Sequence, residues 1–137
     1  MLTAETVILT LKIAVVAVTV LLACSLTALA FGNYRLHGRI NLTFFVLVLA
    51  ALLGLELVAQ VFHPGMLQSF LMRHDALDAL YVHLGFSVPS ALVLPVMLYS
   101  GLKRFRSFHI GLGILFLILW SGTFVTGIFF LPHTAVP

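Results

Sequence analysis

The chain has 137 residues, of which 62% are hydrophobic and only 8% charged, with a formal net charge of +3. A soluble domain carries about 25% charged residues, so this composition excludes an ordinary water-soluble enzyme or binding module and predicts a polytopic membrane protein. A nucleic-acid partner is not expected, because the basic residues flank apolar segments and no nucleic-acid-binding fold is in view.

Four apolar stretches, 7–31, 40–62, 77–102 and 110–131, come near the ~20 residues needed to cross about 30 Å of hydrocarbon. They do not alternate in polarity, so they predict helices rather than barrel strands. Together they account for nearly the whole chain. The expectation is therefore one transmembrane domain over 1–137, an all-α, integral membrane four-helix bundle.

The first stretch opens MLTAETVILTLK, without a basic leader, and reads as a retained helix. Lys12 enters it by about one turn and is expected to snorkel to the interface, with an ion pair to Glu56 as the alternative. Cys24, in mid-span, is expected to be a small buried hydrophobe.

The second stretch carries Glu56 inside INLTFFVLVLAALLGLELVAQVFH. An unpaired carboxylate at a helix centre costs roughly 2.5–3.5 kcal/mol on insertion scales, which makes Glu56 a functional-site candidate. Helical spacing puts Glu56, Gln60 and His63 on one face.

In the third stretch Asp78 is expected to cap the helix start, or to orient the His83 ring, and Pro89 and Pro95 are expected to kink the helix. The fourth carries Gly111, Gly113, Ser121, Gly122, Thr123, Thr126 and Gly127. Small residues let helices approach closely or leave room for a flat cofactor.

Charge orients the spans. Arg35 and Arg39 follow the first, Lys103, Arg104 and Arg106 follow the third, and the opposite side offers mainly Arg73 beside Asp75 and Asp78. The positive-inside rule then makes the two basic loops cytoplasmic and puts both termini outside.

The histidines sort by side. His37 and His109 open the second and fourth spans at the basic side, while His63 and His83 lie at the other. His74 and His133 are also on that outer side and are expected to be solvated. Paired imidazoles on facing helices can clamp a metal ion or a haem; the simpler alternative is hydrogen bonding at the membrane interface.

If haem b is bound, His37 and His109 are its expected ligands, with Arg39, Arg104 or Arg106 beside its propionates. Copper, if bound, is expected at His63 and His83, joined by Glu56, His74 or Met66. No nucleophile–base set, phosphate loop or H-E-x-x-H motif occurs, so no enzyme active site is expected.

The succession HGRINLTFF, FHP, HLGFSVPSALVLPVMLYSGLKRFRSFH and WSGTFVTGIFF resembles domain-of-unknown-function family 420, small four-helix membrane proteins that include a cytochrome-oxidase assembly factor. The resemblance covers about residues 35–131 and implies that His37, His63, His83 and His109 are the family's four histidines. It also implies a role as a haem- or copper-linked accessory of a respiratory haem–copper oxidase. The expected setting is a prokaryotic inner membrane, with lipid and respiratory-complex subunits as partners.

The segment from His109 to Gly113 is also similar to the two-haem b-type cytochromes reduced by ascorbate. Against a diheme carrier stands distance: His83 and Lys103 are 20 residues apart on one span, or roughly 30 Å at a helical rise of about 1.5 Å per residue. A structural small subunit with no cofactor is the third alternative.

Overall fold

A computed structural model describes residues 3–132 of the chain, and these form five helices: α1 (Ala4–Ala30), α2 (Tyr34–Phe62), α3 (Met66–Arg73), α4 (Leu77–Leu102) and α5 (Arg106–Phe130). Apart from α3, each is long and apolar enough to cross a bilayer. The all-α four-helix membrane bundle expected from hydropathy is the observed architecture. Three of the four long helices begin a few residues before their apolar run, because polar side chains outside the run start two of them. The Thr3 hydroxyl accepts from the Thr6 N–H at 3.3 Å, and the Asn33 side chain accepts from the Leu36 N–H at 3.1 Å.

α1 packs chiefly on α2 and α4 on α5, giving two antiparallel hairpins; these meet through α2 on α4 and α1 on α5. Neighbours around the resulting square run in opposite directions, so α1 faces α4 and α2 faces α5 across the centre. One end carries the two tight turns and is called the loop end. The terminal end carries the helix termini and α3.

The hairpins repeat one another at a shift of 72 residues, the separation of His37 from His109 and of Phe44 from Phe116. Both tight turns are built alike. Phe31 N–H bonds to Thr27 O, Gly32 to Leu29 O and Asn33 to Ala28 O; the same bonds recur from Lys103 to Tyr99 O, Arg104 to Gly101 O and Phe105 to Ser100 O. Gly32 has φ +73°, and its equivalent Arg104 takes φ +60°, a left-handed conformation that is costly for a residue with a Cβ. Burial repeats too: Val18, Leu22, Ser25 and Ala28 of α1 correspond to Ser90, Leu94, Met97 and Ser100 of α4.

The core sits on the axis relating the two hairpins. Phe44 and its equivalent Phe116, each 1% exposed, meet edge to face at 5.9 Å, and Trp120 packs on both rings. Val18, Leu22, Leu94 and Met97 complete this cluster. Close approach of α4 to α5 depends on Gly122, where an added Cβ would run into the Phe86 ring.

The repeat fails at the terminal end. α3, which lies outside the four apolar stretches, is an amphipathic helix whose Phe70 and Leu71 pack with Ala4, Ile8 and Ala76. The last turns of α2 (Leu57–Phe62) and α5 (Thr126–Phe130) are π-helical. Lys12 does not simply snorkel: its Nζ donates to Ile128 O at 2.7 Å and Leu131 O at 2.6 Å, satisfying carbonyls at the end of α5. α4 remains helical through Pro89 and Pro95. Its N-cap is Ala76, without a side-chain cap, so Asp78 does not take that role. Cys24 is exposed on the outer surface of α1 rather than buried.

Candidate functional site

At the loop end the turns place His37 in the first turn of α2 and His109 in the first turn of α5, diagonally across the bundle. Their rings meet at 6.4 Å between centroids with an interplanar angle of 81°. Hydropathy alone had put them on the same side; the fold brings them into contact.

Each ring is anchored to the backbone twelve residues before it. His37 Nδ1 lies 3.0 Å from Ser25 O and 2.8 Å from Ser25 Oγ, and His109 Nδ1 lies 2.9 Å from Met97 O. A carbonyl can only accept, so both Nδ1 atoms carry a proton, and in the neutral ring form Nε2 keeps a lone pair. Backbone anchoring of the protonated ring nitrogen is how metal-binding imidazoles are commonly held.

The two Nε2 atoms differ. Asn41 Nδ2 donates to His37 Nε2 at 3.0 Å, and Asn41 Oδ1 accepts from the fully buried Ser25 hydroxyl at 2.5 Å, closing a ring of three side chains. This network sets the amide orientation. The equivalent of Asn41 in the second hairpin is Gly113, which borders open space. His109 Nε2 accordingly has no hydrogen-bond partner among the described residues, while the ring lies against Gly101, 3.0 Å from where a Cβ would stand.

The expected outer set is arranged differently. His83 lies inside the terminal half of the bundle, its Nδ1 2.9 Å from Thr126 Oγ1 and its ring over Gly127. His63 ends the π turn with φ −140° and ψ 66° and lines a shallow groove with Met66, Ser69 and Arg73. That break carries His63 off the face shared by Glu56 and Gln60, and both of these side chains are exposed. Among the described residues no three His, Cys, Asp or Glu side chains come together to hold a metal ion, so His63, His83 and Glu56 are not one cluster. His74 Nδ1 bonds to Phe70 O at 2.8 Å at the end of α3. His133 lies outside the described residues.

The small residues of α5 are used for packing. Gly122 seats Phe86 and Gly127 seats His83, while Gly111 and Gly113 face open space. Two turns inward from the imidazole pair the axis is filled by Phe44, Phe116 and Trp120. No known protein family matches the chain, and neither does any curated protein or solved structure.

Proposed function

We propose that the protein is a multi-pass accessory of a respiratory haem–copper oxidase in a prokaryotic inner membrane, and that it holds a single copper ion between His109 and His37. The observation that carries the metal assignment is the loop-end pair: two imidazoles, both anchored through Nδ1, with ring centroids 6.4 Å apart. A metal ion held in line between two imidazoles, each at about 2.0–2.1 Å, sets ring centres roughly that far apart. Imidazole suits copper. Bound there, copper would supply one-electron chemistry or act as cargo for the oxidase.

The chain's own residues would do the rest. Ser25 and Met97 carbonyls hold the rings, and Asn41 occupies His37 Nε2 until it is displaced. A haem fits these residues less well, because aromatic rings fill the axis beneath the pair. The oxidase assignment rests on the family resemblance, and the cytoplasmic placement of this end rests on its five exposed basic residues.

Copper analysis and an absorption spectrum of protein taken gently from its native membrane test the proposal. Copper in stoichiometric amount is expected, lost in a His37→Ala/His109→Ala double variant and retained in His63→Ala. A reduced-haem band that depends on the pair would replace copper by haem. Finding neither would leave the structural-subunit reading in place.

A further inference from the structure

The terminal half of the bundle holds a partly open cavity of about 500 Å³, bordered by α3 and lined from both hairpins. Leu11, Val15 and Val18 of α1 line it, and so do their equivalents on α4, His83, Ser87 and Ser90. The spacing i, i+4, i+7 puts each trio on one helix face. Three positions that are apolar in one hairpin are polar in the other, and all three border the same space.

Ser90 is 2% exposed, and its hydroxyl has no hydrogen-bond partner among the described residues. Buried hydroxyls are nearly always paired, and Val18 shows that the fold itself does not require one here. His83 presents a defined counterpart. The Thr126 hydroxyl donates to Gly122 O at 2.7 Å and therefore accepts from His83 Nδ1 at 2.9 Å, leaving His83 Nε2 as an acceptor. The stripe thus offers an acceptor at one end and an unpaired hydroxyl at the other, on residues two helical turns or roughly 10.5 Å of backbone rise apart. Two para oxygens on an aromatic ring, with a hydrogen bond of about 2.8 Å at each end, span such a distance.

We propose that this cavity binds a membrane-soluble hydroquinone, its ring oxygens meeting His83 Nε2 and the Ser90 hydroxyl and its alkyl tail lying against Leu11, Val15 and Val18. One oxygen donates to the imidazole, and the other accepts from the serine. The site is separate from the loop-end imidazoles and does not depend on what they hold.

Trp120 is the single tryptophan and lines the cavity, so its emission reports occupancy. Decylhydroquinone and its dimethyl ether, which cannot donate, are titrated into the full chain in lipid nanodiscs. A saturable Trp120 response is expected, about tenfold weaker for the ether because a buried acceptor then goes unpaired. His83→Leu and Ser90→Val, which copy the α1 wall, should abolish that preference. Ser90→Ala removes the hydroxyl without adding bulk and should reduce hydroquinone affinity in the same direction. His37→Ala/His109→Ala should bind like the native chain. Absence of a saturable response, equal binding of the two probes by the native chain, or an unchanged preference in the stripe variants would overturn the proposal; equal binding would mark the cavity as an acyl-chain niche.

Discussion

Asn41 covers Nε2 of His37, while its equivalent Gly113 leaves Nε2 of His109 beside open space, so one residue pair sets the difference between two otherwise matched imidazoles. Replacing Gly113 by Asn should impose the same amide on His109 and lower copper retention. Asn41→Ala should raise it by freeing His37, although it leaves the buried Ser25 hydroxyl without its acceptor and costs about 1–3 kcal/mol of stability. Metal content after dialysis against a graded chelator measures both effects, and opposite signs for the two variants are the expected outcome. Equal retention in both would show that Nε2 access does not control binding. The residue identities in this centre were readable as histidines opening two spans. The partners were not, since Ser25 and Met97 act through backbone carbonyls twelve residues away, a relation that only the shape of the turn creates.

At the scale of elements, Gly122 fixes the α4–α5 contact, because any Cβ there overlaps the Phe86 ring. Gly122→Ala should therefore destabilise the bundle by about 1–3 kcal/mol, the usual range for overpacking, measured by unfolding in mixed detergent micelles. Gly111→Ala, on the same helix but beside open space, should change little. The four spans were legible because hydrocarbon demands about 20 apolar residues in a row. α3 was not, since its eight residues form little more than two amphipathic turns between Gly65 and His74 that propensity cannot separate from loop. The π turns left no mark in composition either, and they are why His63 left the face predicted for it. The hairpin repeat is faint in the sequence because it is preserved in burial and turn geometry more than in identity: Phe44 and Phe116 match, but Val18 pairs with Ser90 and Gly32 with Arg104.

For the whole molecule, the five exposed basic residues at the loop end predict that this end is cytoplasmic and the terminal end external. In a Cys24→Ala background, a cysteine at Ser107 should resist an impermeant thiol reagent applied to intact cells, whereas one placed at Thr3 should react. Reaction at Ser107 would invert the orientation. The bonds from Lys12 to Ile128 O and Leu131 O have a consequence for chain order. They hold the end of the last helix against the third turn of the first, so a short flexible linker can join the end of α5 to the start of α1. Each hairpin already closes its own tight turn. A circularly permuted chain, opened between His74 and Asp75 so that the second hairpin is made first, should fold to the same bundle with the same Trp120 emission. Failure of that permutant to fold would mean that the order of synthesis, and not only the geometry of the finished molecule, determines how the halves find each other.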